Sequence, residues 1–345
     1  MAHAFDGKST LPALDIKTGH NHSPHVVILG AGASRACCPN GDLNGKALPL
    51  MNDFVETLQL KDLIKSIGED ANQNFEALYS KLYKTGDNSL LEKIQARTQN
   101  YFSQIRIPSH PTIYDYLILG LRKKDLIVTF NWDPLLPQAY RRWRHLGDVL
   151  PQIAFLHGNV DVGINRDKKV CGFLSDGASH LEPTTLLYPV DQKDYNSDPF
   201  IADQWNLATF HLEHAYYITI FGYSAPTTDV EARSLLLKAW KQNTSRIFSQ
   251  LEIIDIRDKD SLKKSWSDFL DEIHGGVTSS FDNNILLRHP RRSCESFAFA
   301  TLQQDPWHEN PIPKTADLNE LESWIKILIQ EEQSGYLSDI KKVKQ

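Results

Sequence analysis

Four short segments carry the side chains of this sequence that could take part in chemistry. They are GAGAS (30–34), TFNWD (129–133), LHG (156–158) and GYS (222–224). Each one follows an apolar, β-branched run, which is the pattern of a buried strand. In an open α/β sheet, ligands bind outside the carboxyl ends of the strands. We therefore expect the four segments to meet at one edge of a parallel sheet and form a single site.

The first of these segments predicts a turn that can hold a phosphate group. A strand that ends in Gly-x-Gly before a helix exposes backbone N–H groups, and Gly30 and Gly32 would let an anionic ligand approach the chain. Pyrophosphate is the usual occupant of such a turn. Ser34 is expected to cap the helix and to bond a phosphate or ribose oxygen. The alternative is a tight turn that holds no ligand.

The same segment departs from the fingerprint of hydride-transferring dinucleotide enzymes. That fingerprint is G-x-G-x-x-G, followed about 20 residues later by an acid at the tip of a second strand. Arg35 replaces the third glycine, and Asp53 has the expected spacing but lies in a helical pattern. An ordinary hydride-transfer Rossmann domain is therefore disfavoured.

The other three segments supply groups for acid–base and hydrogen-bond chemistry. Asn131 offers an amide donor and acceptor, Asp133 a carboxylate, and His157 an imidazole, whose usual pKa is near neutral. Each has a plainer interpretation: Asn131 and Asp133 as caps of the helix beginning near Pro134, His157 as a core histidine, and 222–224 as a turn. The agreement of all four strand ends favours the functional interpretation.

Short, nearly continuous apolar runs predict the strands that position these groups. The runs are VVILG (26–30), DLIVTFN (125–131), IAFLHG (153–158), YYITIFG (216–222) and LEIIDI (251–256). Runs of this kind are typical of parallel strands buried on both faces. Helical periodicity covers 51–67, 74–86, 90–105, 111–124 and 231–243. The order predicts an α/β fold, a doubly wound and mainly parallel Rossmann-like sheet with a helical cap module inserted after the first strand.

The chain is expected to divide into three parts. Residues 1–24 are polar and rich in His, Gly and Ser, and they are predicted to form a mobile N-terminal arm. Residues 25–275 form the main domain, with the helical insert at about 50–124. Residues 276–345 form a C-terminal extension of about 70 residues, which is below the usual size of a domain.

Two further spans carry local predictions. The span 159–200 is rich in Gly, Asp, Asn and Pro, and it is expected to be an irregular excursion over the sheet edge. The span 317–333 predicts an amphipathic helix with Asp317 as its N-cap and Glu320 three residues on.

Composition disfavours several classes of protein. The net charge of −6 argues against a general polyanion binder, and the basic clusters at 141–145 and 288–292 are expected to be solvated faces, so direct nucleic-acid binding is not expected. None of the four cysteines forms a C-x-x-C pair, so neither a metal site nor a disulfide framework is expected. No apolar leader or run of ~18 apolar residues is found, which predicts a cytoplasmic protein without a membrane span.

GAGAS, TFNWD, LHG and GYS, in this order, resemble the motifs of the sirtuin (silent information regulator) superfamily over roughly residues 25–258. The resemblance implies that 25–275 is an NAD-binding catalytic domain and that NAD is bound without a metal. It implies a role for each matching residue. By this resemblance, the NAD diphosphate is bound by Gly30, Ala31, Gly32 and Ser34, and the nicotinamide–ribose pocket is lined by Asn131 and Asp133. His157 is the catalytic base, and Gly222 and Ser224 contact the ribose–phosphate side.

Other stretches look like one subgroup, the bacterial sirtuin-like NAD hydrolases of anti-phage defence. They are LLYPVDQKDY (186–195), GYSAPTTD (222–229) and NFEALY (74–79). Deacylating sirtuins usually carry four zinc-binding cysteines and a Pro-x-Phe-Arg stretch, and both are missing here. The last strand ends in IDIRD (254–258) instead of the usual Asn, which leaves Asp255 or Arg257 to meet the adenine ribose.

The resemblance implies an NAD glycohydrolase that releases nicotinamide and ADP-ribose, an NAD-depleting effector regulated by a partner. It also implies a homo-oligomer and a separate sensor or ATPase subunit. An alternative is a module that binds or senses NAD or ADP-ribose without turnover, for which a catalytic base such as His157 would have no use. A protein-lysine deacylase is disfavoured by the missing zinc module.

Overall fold

Six parallel strands form the central sheet of the computed structural model, which describes residues 22–190, 195, 197–224, 229–243, 246–270 and 274–334. In spatial order the strands are β3 (Gln152–Phe155), β2 (Leu126–Thr129), β1 (His25–Leu29), β7 (Tyr217–Phe221), β8 (Gln250–Ile254) and β9 (His274–Thr278). The register sets Val27 beside both Ile127 and Thr219. Part of the predicted N-terminal arm, residues 1–21, lies outside the described residues.

The sheet is buried on both faces, as the continuous apolar runs predict. Along β1, Val27 and Leu29 belong to one core, whereas Val26 and Ile28 belong to the other. Alternation of this kind follows from the two-residue period of a strand. The predicted fold class, a doubly wound and mainly parallel Rossmann-like α/β sheet, is therefore confirmed.

Helices cover the two faces of the sheet. Their bounds are α1 (Ala31–Cys37), α2 (Phe54–Thr57), α3 (Lys61–Lys65), α4 (Phe75–Thr85), α5 (Asn88–Ser103), α6 (Ile113–Gly120), α7 (Leu135–Trp143), α8 (Pro199–His214), α9 (Val230–Gln242), α10 (Lys259–Ser265), α11 (Ser267–Leu270), α12 (Ile285–Arg288), α13 (Ser293–Leu302) and α14 (Leu318–Ser334). Helices α2–α6 form the insert between β1 and β2. Among the described residues, no helix is both long and apolar enough to cross a membrane.

Two of the local predictions are wrong. The segment 51–67 is not one helix, because Gln59 adopts a left-handed φ of 55° that separates α2 from α3. The span 159–200 is not irregular throughout, since it contains a three-stranded antiparallel sheet. Its strands are β4 (Val162–Asn165), β5 (Val170–Phe173) and β6 (Glu182–Pro183), with β4 in the middle.

The C-terminal extension contains a buried ion pair, and one of its arginines also bonds the main domain. Arg291 and Arg292, in the second basic cluster, are almost fully buried, and both donate to the Glu332 carboxylate of α14. Arg291 also donates to the backbone oxygens of Leu121 and Val149. The expectation of a solvated face at 288–292 is therefore wrong for these two residues.

Helix α14 bears out its predicted start. The Asp317 carboxylate accepts a hydrogen bond from the backbone N–H of Asn319, as an N-cap residue does. The Glu320 carboxylate accepts from the Thr315 hydroxyl at 2.5 Å. The helix therefore begins at the predicted place, with Glu320 bonded to a side chain of the preceding turn.

Candidate active site

The carboxyl edge of the sheet opens into a cleft of about 1150 Å³. The cleft lies at β1 and β7, where the chain turns to opposite sides of the sheet, and α/β sheets bind their ligands at such points. Its volume exceeds the ~300–1,000 Å³ of most small-molecule pockets. Every site residue predicted from the sequence lines it, namely Gly30, Ala31, Gly32, Ser34, Asn131, Asp133, His157, Gly222, Ser224, Asp255 and Arg257.

Glycines allow two turns to cross beneath the cleft. The N–H of Gly30 donates to the Phe221 oxygen, and the N–H of Gly32 donates to the Gly222 oxygen, both at 3.0 Å. A Cβ on Gly30 would lie 2.5 Å from the Gly222 oxygen. The fold itself therefore uses the N–H groups of Gly30 and Gly32, while both glycines still line the cleft. These glycines bring the turn after β1 against the end of β7.

Ser34 lies at the centre of a buried polar cluster. Its Oγ donates to Asp133 Oδ2 at 2.6 Å, accepts from Asn131 Nδ2 at 2.9 Å and lies 2.7 Å from the Tyr114 hydroxyl. These three bonds use the one donor and two acceptor positions of a hydroxyl. The prediction that Ser34 caps α1 is wrong, since Gly30 occupies the N-cap position and Ser34 lies within the helix.

Asn131 and Asp133 are held in place by the same cluster. Asn131 Nδ2 also donates to the Gly30 oxygen at 2.9 Å, which joins the end of β2 to the end of β1. Burial raises the pKa of Asp133, and its Oδ1 accepts from the Leu135 N–H at the start of α7. Asp133 thus does support the helix that follows it, while both residues also line the cleft.

His157 lies in a second buried cluster that also lines the cleft. Its Nε2 is 3.2 Å from the Tyr195 hydroxyl and 3.9 Å from Asp229 Oδ2. The Asp229 carboxylate accepts from Tyr195 and from Tyr223, each at 3.1 Å. The imidazole packs on the Phe130 ring in a T-shaped arrangement, with ring centroids 4.8 Å apart.

Tyr195 and Asp229 are absent from the predicted site residues. They are the last residues of LLYPVDQKDY (186–195) and GYSAPTTD (222–229), two stretches that resemble a subgroup of the sirtuin superfamily. Their residue types are the signal that the sequence offers, because a buried tyrosine or aspartate usually has a polar partner.

The end of β8 carries an internal ion pair. Arg257 donates from Nη2 and Nε to Asp255 Oδ2, at 2.9 and 3.2 Å. Between them, Ile256 is 88% exposed and lines the cleft. Beyond this point the wall is formed by the C-terminal extension, including Arg288 and Lys314.

Arg35 and Asp53 have a local role instead of the fingerprint roles. Arg35 donates from Nη2 to Asp53 Oδ2 at 2.5 Å and from Nε to the Leu48 oxygen at 2.8 Å. Asp53 precedes the short helix α2 and so stands at no strand tip. Among the described residues, no group of three or more His, Cys, Asp or Glu side chains is arranged to hold a metal ion.

Fold and cleft together define the class: an open, doubly wound α/β protein with a crevice at its topological switch point. No protein-family profile matches the sequence, and no curated protein matches it. The chain is similar to a solved structure of a Sir2 homologue with NAD at 12% identity and a TM-score of 0.40, covering 83% of this chain and 92% of that one. It is also similar to a structure reporting the mechanism and regulation of Sir2 enzymes at 12% identity and a TM-score of 0.37, covering 90% of this chain and 94% of that one.

Proposed function

We propose that this protein is an NAD glycohydrolase, which cleaves the nicotinamide–ribose bond and releases nicotinamide and ADP-ribose. The observation that supports this most is that Asn131 and His157 follow neighbouring strands and line one cleft with the glycine crossing. The cleft is large and lies where α/β sheets bind nucleotides. The proposal also rests on the four motifs that resemble sirtuins.

NAD would lie across the switch point. We propose that its diphosphate lies over Ala31 and the glycine turn, and that Ser224 contacts the adjoining ribose. The nicotinamide riboside then extends towards Asn131 and His157, and the adenine ribose towards Asp255 and Arg257. A paired carboxylate and guanidinium at this end can bond ribose hydroxyls from either partner.

The chemistry demands little of the protein beyond positioning. The bond joins ribose C1′ to a cationic pyridinium, so nicotinamide leaves as a neutral molecule and no general acid is needed. The transition state resembles an oxocarbenium ion, as in other glycoside hydrolyses. The site must hold the ribose, tolerate positive charge at C1′ and deliver a water molecule.

Each residue has a role that its contacts allow. Bonds from Nδ2 to Gly30 and Ser34 fix the Asn131 side chain, so its amide oxygen can orient a ribose hydroxyl or the attacking water. Asp133 binds the carboxamide or stabilises the developing cation, and it also holds Ser34 in place. His157 takes the proton from a ribose hydroxyl or from water, a step that typically contributes ~100- to 10,000-fold.

Nicotinamide release tests this function. Asn131→Ala and His157→Ala should each abolish turnover of NAD, measured by chromatography, while circular dichroism shows an intact fold. His211→Ala is the matched control, because His211 is also a buried histidine but lies outside the cleft. Near-normal turnover in folded His157→Ala would refute the proposed role. ADP-ribose binding without nicotinamide release would favour the sensing alternative.

The likeness to defence hydrolases supports a proposal about context. We propose that the chain is an NAD-depleting effector of bacterial anti-phage defence, that it forms a homo-oligomer, and that a separate sensor or ATPase subunit activates it. Size-exclusion chromatography and NAD assays with and without the neighbouring gene products test this. A monomer with constitutive activity would argue against it.

A further inference from the structure

Asp229 is buried in a way that its position in the fold does not explain. It occupies the N-cap position of α9, where an aspartate usually accepts a bond from the helix amides. Among the described residues, its side chain makes no such cap bond. The carboxylate instead accepts from Tyr195 through Oδ1 and from Tyr223 through Oδ2. We call Asp229, Tyr195, Tyr223 and His157 the Asp229 cluster.

The directions of these hydrogen bonds determine which nitrogen of His157 carries a proton. A carboxylate only accepts hydrogen bonds, so each tyrosine donates its single hydroxyl proton to Asp229. The Tyr195 oxygen, 3.2 Å from His157 Nε2, can then only accept from that nitrogen. Burial, with the nearby Asp229 charge, raises the pKa of both tyrosines, so both hydroxyls keep their protons. Neutral His157 therefore has its proton on Nε2 and its lone pair on Nδ1.

We propose that Asp229, acting through Tyr195, is the positioning residue for His157 as general base. This rests on the proposed NAD hydrolysis. Nδ1 takes one proton of the attacking water, whose electron pair remains on the water oxygen. The oxygen of the attacking water bonds C1′, while the electrons of the C1′–N bond leave with nicotinamide. The imidazolium that forms carries N–H on both nitrogens, and the Asp229 carboxylate lies 3.9 Å from Nε2.

The two tyrosines form a matched pair for testing this. Both are almost fully buried, and both donate to Asp229 over 3.1 Å. The hydroxyl beside Nε2 is that of Tyr195, whereas Tyr223 stacks on Phe130 with ring centroids 4.3 Å apart. If the Asp229 cluster only stabilises the fold, removing either hydroxyl should affect turnover equally. If it positions His157, removing the Tyr195 hydroxyl should lower turnover more than removing the Tyr223 hydroxyl.

Steady-state kinetics of the full chain separate these cases. Tyr195→Phe and Asp229→Asn should lower kcat about 100-fold, the typical result of a misplaced group, with little change in KM. Tyr223→Phe should lower kcat by clearly less than Tyr195→Phe. Equal losses in the two tyrosine variants, or losses confined to KM, would overturn the proposal.

The tautomer gives a readout that does not depend on turnover. At about pH 8, where histidine is ordinarily neutral, ¹⁵N NMR should show His157 protonated on Nε2, with the signal assigned by its loss in His157→Gln. Tyr195→Phe should shift this signal, and Tyr223→Phe should leave it in place. A proton on Nδ1 would overturn the positioning proposal, whereas a protein with the expected tautomer that releases no nicotinamide would contradict only the hydrolysis.

Discussion

A methyl group at Gly222 would test the crossing of the two turns beneath the cleft. Gly222 has a left-handed φ of 61°, and a Cβ there would lie 2.2 Å from the Ala33 nitrogen and 2.5 Å from the Gly32 carbonyl carbon. These are backbone atoms, so no side-chain rotation can relieve the contact. Gly222→Ala must therefore push the turn after β1 away from the end of β7.

The expected loss has two parts. A left-handed conformation costs a residue with a Cβ about 1–2 kcal/mol. Forcing an extra carbon into a packed site costs about 1–3 kcal/mol more. Gly222→Ala should therefore lower the free energy of unfolding by about 2–5 kcal/mol, a large share of the ~5–15 kcal/mol of a typical domain.

Gly86→Ala is the control that isolates the clash. Gly86 has a similar φ of 74°, but a Cβ there would meet no atom of the described residues within 4 Å. This variant should therefore lose only the backbone contribution of about 1–2 kcal/mol. Urea unfolding of the two variants, followed by circular dichroism, compares them directly. Equal unfolding midpoints would refute the packing argument.

Three further perturbations test other parts of the structure. Glu332→Gln removes the carboxylate that buried Arg291 and Arg292 share. It should lower the free energy of unfolding by about 3–5 kcal/mol. An unchanged thermal midpoint would contradict this. Burial raises the pKa of Glu252 from 4.5 to about 7. The folded chain then holds a proton that the unfolded chain loses, so stability should fall by up to about 3 kcal/mol as pH rises through that interval. Glu252→Gln should flatten this slope in urea titrations. Arg35→Ala removes a half-exposed ion pair and should cost under about 1 kcal/mol by the same method.

The strands were predictable where burial on both faces left a continuous apolar run. β1, β2, β7 and β8 are of this kind, and their bounds agree with the prediction to within one or two residues. β9 has the sequence HGGVT, which carries little apolar signal, and its place at the sheet edge depends on pairing with β8. Tertiary pairing of this kind leaves no periodicity in a short segment.

The site was predictable for a related reason. Parallel strands end at one edge, so the residues after them meet regardless of the loops between them. Tyr195 and Asp229 come from segments with no periodicity, and only the folded chain brings them to His157. The contacts of Ser34 were likewise unpredictable, because its partners Asn131 and Tyr114 lie about 100 and 80 residues away along the chain.

Hydrogen bonds between neighbouring strand ends extend the sheet into the rim of the cleft. Asn131 ties β2 to β1 through the Gly30 oxygen, and Asn159 ties β3 to β2 through the backbone oxygen of Asp133 at 2.7 Å. Gly222 completes the series, because its oxygen accepts from Gly32 and its N–H donates to Ile254 on β8. A rim bonded in this way holds its side chains at fixed separations before a ligand arrives. Such preorganisation suits a reaction in which the protein mainly positions a sugar, a water molecule and a base.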